Sequence, residues 1–340
     1  MQLCFINIKE MNKVMKKGLQ KNDDKFFEER LPFFLENGSN LQNICSECVD
    51  EYNDHSLLKL ISIAYWVSIF APIAHRQLRE IYNYQVAYID SMAGSGVTST
   101  KRAGDYLCGS CPCAVLYALK KNRPFDLVIA VEIDKKKADA LKQRLNKIPF
   151  LSNVIVYNDD ILNVSLEIAK KLQNRTISYI VIDPQGLKGM TWAGIGPLLH
   201  CKGDAMVTWF EAEAWRLKCA AESQKEYDAV SGNRARLTEL FGGEEWQKVK
   251  SPEELTDLFI NRVIHECGKT ACAKIKITRT SGNYYLMILF AGKFPKAEKT
   301  VKEWKNNVER RINSAHGRDI AVLLDVKAGR TSTLKNWIKT

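Results

Sequence analysis

The chain has 340 residues, of which 46% are hydrophobic and 26% charged, a composition typical of a soluble globular protein with one large domain or two small ones. No apolar run is long enough to span a bilayer, so no membrane association is expected. The net charge of +11 favours a polyanionic partner, and nucleic acid is the commonest one.

Residues 1–84 are predicted to form an N-terminal helical region. Met1–Lys17 lacks an apolar signal core followed by a small-residue cleavage site, so we expect a cytoplasmic protein. The apolar stretch Leu57–Ala74 indicates a buried helix. The predicted elements are a helical pattern over Phe26–Leu35, a loop over 37–40 (Asn-Gly-Ser-Asn) and a helix over Leu57–Ile81 that Pro72 kinks or ends.

Residues 85–340 are predicted to form one Rossmann-like α/β domain. Short apolar runs alternate here with amphipathic helical patterns, which is typical of a parallel sheet with helices on both faces. The predicted strands are Val86–Asp90, Leu127–Glu132, Val154–Tyr157, Tyr179–Asp183 and Met206–Phe210. The predicted helices between them are Pro112–Asn122, Lys135–Lys147 and Val164–Gln173.

The alternation stops after the fifth strand. Residues 211–267 are charged and helical, with breaks at Gly232, Gly242-Gly243 and Pro252, and predict a mobile insertion that caps the substrate end of the sheet. Two β-patterned runs and a basic tail follow. They predict a hairpin of Ala273–Thr280 and Tyr284–Ala291 joined by residues 281–283, then a helix from Thr300 and a short strand at Ile320–Leu324.

The strongest site signal is the segment 88–96, Tyr-Ile-Asp-Ser-Met-Ala-Gly-Ser-Gly. A strand runs into small residues, and Gly94 and Gly96 let the backbone approach a ligand closely. The third glycine of a dinucleotide loop is missing, and no P-loop lysine and hydroxyl follow, which argues against nicotinamide and nucleotide phosphates.

Acidic residues follow the next three predicted strands. Glu132 can accept both hydroxyls of an adenosine ribose, Asp160 can accept from an adenine amine, and Asp183 begins the sequence Asp-Pro-Gln-Gly. Ligands of open α/β sheets bind beyond the carboxyl ends of the strands, where all these groups would converge.

Together these residues resemble S-adenosylmethionine-dependent class I methyltransferases, in which five parallel strands are closed by a hairpin. More narrowly, they resemble the three-Cys-motif partner family over residues 55–292, through the Tyr-Ile-Asp-x-x-Ala-Gly-x-Gly loop, Ile182–Gly186, and Phe241-Gly242 near Trp246. Cys111 and Gln185 depart from that family's pattern. The resemblance implies S-adenosylmethionine as cofactor, a radical-enzyme-like three-cysteine partner protein, and cofactor contacts from Asp90, Ala93, Gly94, Ser95, Gly96, Glu132 and Asp160.

Asp183, Pro184 and Gln185 are the predicted catalytic residues. Amino-methyltransferases place an Asn/Asp-Pro here, where a side-chain oxygen and a carbonyl orient an exocyclic amine toward the methyl group. The rate enhancement from such a motif comes mostly from positioning and desolvation of the amine. The motif resembles the Asp-Pro-Phe-Gly of tRNA guanosine N2 methyltransferases, which favours a nucleobase amine in RNA over DNA. Gln185 stands where an aromatic residue is common, and Trp192, Trp209 or Trp215 could replace that ring.

Three alternatives remain open. The acceptor of the methyl group could be a protein or a small molecule, or the chain could be a weakly catalytic cofactor-binding partner of another enzyme. The cysteines leave a further choice, because CxxC at 45–48 and the cluster at 108, 111 and 113 could supply four thiolates for zinc. Their separation and the absence of paired knuckle turns favour reduced, part-buried cysteines and no metal.

Overall fold

The computed structural model describes residues 30–51, 56–99, 106–151, 153–222, 227–278, 284–294 and 296–312. Its helices are α1 (Leu31–Ile44), α2 (Ser56–Ala74), α3 (Glu80–Tyr82), α4 (Ser110–Lys120), α5 (Lys135–Asn146), α6 (Ile161–Lys171), α7 (Trp192–Leu199), α8 (Glu211–Glu222), α9 (Tyr227–Phe241), α10 (Pro252–Cys267) and α11 (Ala297–Ile312). Its strands are β1 (Asp50–Glu51), β2 (Gln85–Asp90), β3 (Val97–Ser99), β4 (Tyr106–Cys108), β5 (Leu127–Val131), β6 (Val154–Tyr157), β7 (Thr176–Ile182), β8 (Gly203–Trp209), β9 (Ala271–Thr278) and β10 (Tyr284–Ala291).

Seven strands form the central sheet, in the order β6-β5-β2-β7-β8-β10-β9. The first five are parallel to their neighbours, whereas β10 runs antiparallel to both β8 and β9. This is the class I methyltransferase arrangement, so the predicted fold class is confirmed. The order along the chain reverses at β2, which pairs with β5 on one side and β7 on the other. Such a reversal opens a crevice at the carboxyl ends of the strands.

Both faces of the sheet are covered, which explains why its central strands are apolar throughout. Along β2 the side chains alternate between two cores: Tyr88 belongs to the core that contains α2, and Ile89 to the core that contains α10. The N-terminal helices therefore share a core with the sheet. The other three strands, β1, β3 and β4, form a small separate sheet beside the main one.

Helix α2 begins one residue before the predicted helix Leu57–Ile81, and Pro72 does not end it. It passes through Pro72 and continues as a π-helical turn, His75–Arg79, so that Leu57–Tyr82 is long and apolar enough to cross a membrane. The expectation that no apolar stretch reaches that length is therefore wrong, because the helix continues past Pro72 and through the π turn. Since 67% of its most apolar window is buried, the interpretation as a core helix stands.

The predicted loop at 37–40 is also wrong, because these residues lie inside α1. Phe34 and Leu41 are buried seven residues apart on one face of this helix, and their burial outweighs the local turn preference of the Asn-Gly-Ser-Asn sequence. Gly38 has a packing role instead: a Cβ there would lie 2.3 Å from the carbonyl oxygen of Tyr106 in β4. The glycine lets the helix pack directly on the strand backbone.

The helical nature of 211–267 is confirmed, but Gly232 does not interrupt it and lies within α9. Gly242 ends that helix with φ +66°, and Pro252 is the first residue of α10, as helix signals predict. The side chains of Leu255, Phe259 and Val263 are fully buried, so α10 is a structural layer of the second core. Mobility of the segment stays a prediction, and the burial of α10 makes α8 and α9 the part for which we expect it.

The hairpin prediction is confirmed for its strands, with Tyr284 opposite Thr278. Helix α7 was not predicted, and the C-terminal helix begins at Ala297. The predicted turn at 281–283, the strand at 320–324 and residues 26–29 of the first helical pattern lie outside the described residues.

Candidate active site

A cleft of 680 Å³ opens at the carboxyl edge of the sheet, at the reversal of strand order. Sequence-predicted residues from four separate segments meet there. Its lining includes Ala93, Gly94, Glu132, Asp160, Asp183 and Gln185. Four other predicted residues, Asp90, Ser95, Gly96 and Pro184, are buried and are not part of this lining.

The glycine loop leads directly from β2 into the cleft. The backbone N–H of Ala93 donates to the carbonyl of Val131 at the end of β5, 2.9 Å away, which holds the loop across the two strands. Gly94 and Gly96 have φ values of +63° and +84°, in the left-handed region that favours glycine. A Cβ on Gly94 would lie 2.6 Å from a carboxylate oxygen of Asp50, so a side chain there would displace Asp50.

Glu132 is fixed by backbone donors on both of its carboxylate oxygens. The N–H of Gly94 donates to Oε2 at 2.9 Å, and the N–H of Asp134 donates to Oε1 at 2.8 Å. A carboxylate has about four acceptor sites, so each oxygen keeps a lone pair for one further donor. The side chain is thus preorganised to accept two adjacent hydroxyls, as a ribose presents them.

Asp160 has a structural role in addition to its position in the cleft. It is the N-cap of α6 and accepts from the N–H of Leu162 at 2.9 Å. Ile133, which the sequence analysis missed, also lines the cleft and is 67% exposed, although it directly follows Glu132. An aliphatic side chain left open beside a ribose acceptor is suited to cover the face of a purine ring.

Asp90 is fully buried beneath the loop. Burial raises the pKa of its carboxyl to about 7, and the nearby negative charge of Asp183 acts in the same direction. The N–H of Met92 lies 3.4 Å from Oδ1, the hydroxyl of Tyr88 donates to Oδ2 at 3.3 Å, and Ser110 adds a further hydrogen bond. Asp90 therefore supports the loop from below, and the direct cofactor contact predicted for it stays a prediction.

Asp183 directly follows β7 and forms an ion pair that the sequence analysis did not predict. The ammonium of Lys59, in the first turn of α2, donates to Oδ1 at 2.8 Å and to Oδ2 at 2.7 Å. Both side chains line the cleft, with exposures of 16% for Lys59 and 15% for Asp183. Helix α2 thus brings a cation from 124 residues away onto the predicted catalytic carboxylate.

The rest of the Asp-Pro-Gln-Gly loop is fixed by α8. Glu213 accepts from the N–H of Leu187 at 3.2 Å, and its other oxygen would lie 3.0 Å from a Cβ on Gly186, whose φ is +92°. Pro184 is buried and Gln185 is exposed to the cleft. The loop is therefore held by a residue outside the cleft lining, whereas Asp183 and Gln185 belong to that lining.

The three tryptophans proposed as a stacking surface do not line the cleft. Trp209 is fully buried and stacks on Phe259 with ring centroids 4.6 Å apart. Trp192 has the guanidinium of Arg262 over its ring at 4.7 Å, and Trp215 has Lys218 at 5.4 Å. These rings are part of the second core and its rim, so the suggestion that they replace the missing aromatic is wrong for the described structure.

The segment before α2 also reaches the glycine loop, which the sequence did not indicate. Asp50 accepts from the N–H of Ser95 at 2.7 Å through Oδ2, and its Oδ1 pairs with the ammonium of Lys137 at 2.8 Å. Fully buried Arg144 donates to the carbonyls of Leu41, Cys45, Cys48 and Ser95. Both backbone polar groups of Ser95 are therefore held by this segment and α5.

The cysteines lie in two different environments. Cys108, Cys111 and Cys113 are fully buried in the first core, where desolvation raises the pKa of the last two thiols. Cys45 and Cys48 lie in the loop whose carbonyls accept from Arg144. Within the described ranges, no group of three or more His, Cys, Asp or Glu side chains could hold a metal ion. The structure therefore offers nothing that favours the zinc alternative.

The charge of the cleft is opposite to that of the whole chain. Seven carboxylates and three ammonium groups line it, although the chain carries a net charge of +11. A low-dielectric cleft concentrates the field of its lining charges. It therefore favours a bound cation over a bound anion.

Comparisons with known proteins report similarity in fold alone. No family model and no curated protein matches the chain. Among solved structures, protein LPL1258 from Legionella pneumophila is 13% identical, with a TM-score of 0.45 over 77% of this chain and 94% of that one. An rRNA methylase from Streptococcus thermophilus is 10% identical, with a TM-score of 0.34 over 65% of this chain and 95% of that one.

Trm1 from Pyrococcus horikoshii, solved with S-adenosyl-L-methionine, is 13% identical, with a TM-score of 0.37 over 75% of this chain. The aligned part spans 58% of the length of Trm1. Identities and TM-scores at this level are too low to transfer an activity, so the functional argument rests on the cleft itself.

Proposed function

We propose that the protein is a methyltransferase that uses S-adenosylmethionine. The observation that carries the proposal is the cleft at the reversal of strand order, where the glycine loop, the preorganised carboxylate of Glu132 and exposed Ile133 lie side by side. These groups match an adenosine: hydroxyl acceptors for its ribose, an apolar surface for its base, and a backbone that allows close approach.

The acidic lining supports a cationic cofactor in particular. S-adenosylmethionine carries a sulfonium charge that its homocysteine product lacks, and seven carboxylates against three ammonium groups stabilise that charge. The same field weakens the hold on the product after transfer. A cofactor with two or more phosphates would meet net repulsion in this cleft.

We further propose that the acceptor is an exocyclic amine of a nucleobase in RNA. Asp183 projects into the cleft from the end of β7, and its carboxylate can accept from one amine N–H and aim the nitrogen lone pair at the methyl carbon. The N–C bond forms as the C–S bond breaks, the sulfonium becomes a neutral thioether, and the amine proton leaves to water. The net charge of +11 supports a nucleic-acid acceptor over a small molecule.

The resemblance to the three-Cys-motif partner family gives the proposal a cellular setting. In that setting the chain acts beside a radical-enzyme-like protein with three cysteines and works in the cytoplasm. This association is independent of the cleft chemistry, because every residue proposed to hold the cofactor belongs to this chain.

The proposed function is tested by methyl transfer to RNA. Purified protein is incubated with methyl-labelled S-adenosylmethionine and total cellular RNA, which is then digested to nucleosides for mass spectrometry. We expect a base-methylated amine in the wild type and a loss of about 10²–10³-fold in Asp183→Ala, with a smaller loss in Asp183→Asn, whose amide oxygen still accepts.

Glu167→Ala serves as the matched control, because Glu167 is an exposed carboxylate on α6 that bonds to Tyr157 outside the cleft. Transfer by Asp183→Ala at the wild-type rate would remove the catalytic assignment. A label found in protein, in ribose or in no product would contradict the proposed acceptor.

A further inference from the structure

The ion pair between Lys59 and Asp183 leaves hydrogen-bonding groups unused on both partners. An ammonium has three protons, and Lys59 directs two of them at the carboxylate oxygens, 2.7 and 2.8 Å away. The carboxylate in turn keeps lone pairs that Lys59 does not occupy. One free N–H and one free acceptor thus lie side by side on the wall of the cleft.

This pair complements a substrate edge that places an acceptor opposite the lysine N–H and a donor opposite the carboxylate oxygen. The amidine edges of nucleobases have this pattern: adenine N6 beside N1 or N7, cytosine N4 beside N3, and guanine N2 beside N3. A lysine amine of a protein lacks the neighbouring lone pair, so it could use only one of the two groups.

Resting on the proposed function, we propose that Lys59 is a specificity-determining residue that donates to the ring nitrogen beside the amine held by Asp183. The base would then be fixed in its plane by two hydrogen bonds along one edge, one from its amine and one to the adjacent ring nitrogen. Two fixed points orient the amine lone pair, whereas a single contact to Asp183 would let the base rotate.

The position of Lys59 fits this role better than a role in folding. It is a charged residue in the first turn of an otherwise apolar helix, and its ammonium lies 5.7 Å from the ring centroid of Tyr285. Its neighbours Leu58 and Leu60 are buried in the first core, so the helix is anchored without the lysine. Since both partners are part-exposed, the pair by itself adds little stability.

The test is a double-mutant cycle of Lys59→Met, Asp183→Asn and the double variant, with Lys171→Met as a control for loss of a lysine outside the cleft. Methyl transfer to total RNA and calorimetric affinity for S-adenosylhomocysteine are measured for each variant. We expect Lys59→Met to lose about 10–100-fold in transfer in both backgrounds, the value of one hydrogen bond from a charged donor. The affinity for S-adenosylhomocysteine should stay within about twofold of the wild type, which also shows that the variants are folded.

Equal transfer by Asp183→Asn and the double variant would overturn the inference, because a lysine that only neutralises Asp183 has no effect once that charge is gone. A large loss of affinity for S-adenosylhomocysteine in Lys59→Met would overturn it too, because it would mean that the lysine binds the cofactor. Failure of the wild type to methylate RNA would remove the proposed function and the inference together, an outcome distinct from either of these.

A substrate variant gives a second arm. Mass spectrometry first identifies the methylated base. RNA transcripts are then made in which that base is replaced by an analogue with C–H in place of the ring nitrogen beside the amine. This change should cost the wild type about 10–100-fold and cost Lys59→Met nothing further. An equal cost in both proteins would show that Lys59 does not contact that nitrogen.

Discussion

Asp90 gives a prediction about stability that does not depend on any ligand. Its carboxyl is fully buried, and its pKa is raised from 3.8 to about 7, chiefly because burial disfavours the charged form. The folded state therefore holds the proton more tightly than the unfolded state. Below about pH 4 the carboxyl is protonated in both states and does not lower the free energy of unfolding. As the pH rises from there through 7, burial of this group lowers the free energy of unfolding progressively.

Three pKa units correspond to about 4 kcal/mol of lost stability at high pH. Between about pH 5 and about pH 8, the free energy of unfolding should fall by about 2–3 kcal/mol on account of this group. Asp90→Asn keeps the shape and stays neutral, so it should remove most of that slope. Asp204, whose pKa is raised to about 6 by burial, leaves a smaller slope in the variant.

The assay is urea denaturation of wild type and Asp90→Asn at both pH values, followed by circular dichroism. We expect the variant to gain stability relative to the wild type as the pH rises. A difference between the two proteins that is the same at both pH values would refute the reasoning, because it would mean that the Asp90 carboxyl does not change its proton affinity on folding.

Three further predictions concern the cleft and its surroundings. Glu132→Ala removes the acceptor of two ribose hydroxyls and should weaken S-adenosylhomocysteine binding by about 2–4 kcal/mol in calorimetry, and unchanged affinity would exclude this role. Asp50→Ala removes the acceptor of the Ser95 N–H and the partner of the Lys137 ammonium, and should weaken the same binding by about 1–2 kcal/mol, whereas a drop in melting temperature with intact affinity would assign Asp50 to folding. Hydrogen exchange should be faster in α8 and α9 than in α10, and uniform protection across 211–267 would contradict a mobile cap.

The sheet could be predicted from sequence because its strands are apolar runs separated by amphipathic helices. Each of the five parallel strands lies within a few residues of its predicted position, and their carboxyl ends bring Glu132, Asp160 and Asp183 to one cleft. This convergence follows from the topology alone, since parallel strands end at the same edge. The site residues that continue a strand were therefore accessible to sequence reasoning.

Residues that reach the site only through tertiary packing could not be predicted from the sequence. Lys59 looks like a polar interruption of an apolar helix, and Asp50 lies in a short strand of two residues with no pattern of its own. Arg144 looks like one of many basic residues on a solvated helix, yet it is fully buried among four backbone carbonyls. Their roles depend on tertiary contacts across 45–124 residues, which periodicity does not record.

Helix α7 was missed for a different reason. Its sequence, Trp-Ala-Gly-Ile-Gly-Pro-Leu-Leu, contains two glycines and a proline within eight residues, so its helix propensity is low. Burial of Ile195, Leu198 and Leu199 against the second core stabilises it nonetheless. Thr191 assists by accepting from the N–H of Gly194 as the N-cap.

The most direct test of the central claim compares two exposed aliphatic side chains by calorimetric titration with S-adenosylhomocysteine. Ile133 is 67% exposed within the cleft, and Leu166 is 62% exposed on α6 outside its lining, so neither substitution should disturb folding. Wild type and Leu166→Glu should bind one equivalent with the same affinity, whereas Ile133→Glu should bind about 10–100-fold more weakly, since it loses the apolar surface for the adenine. No binding by the wild type, or equal affinity in all three proteins, would contradict the placement of the cofactor in this cleft.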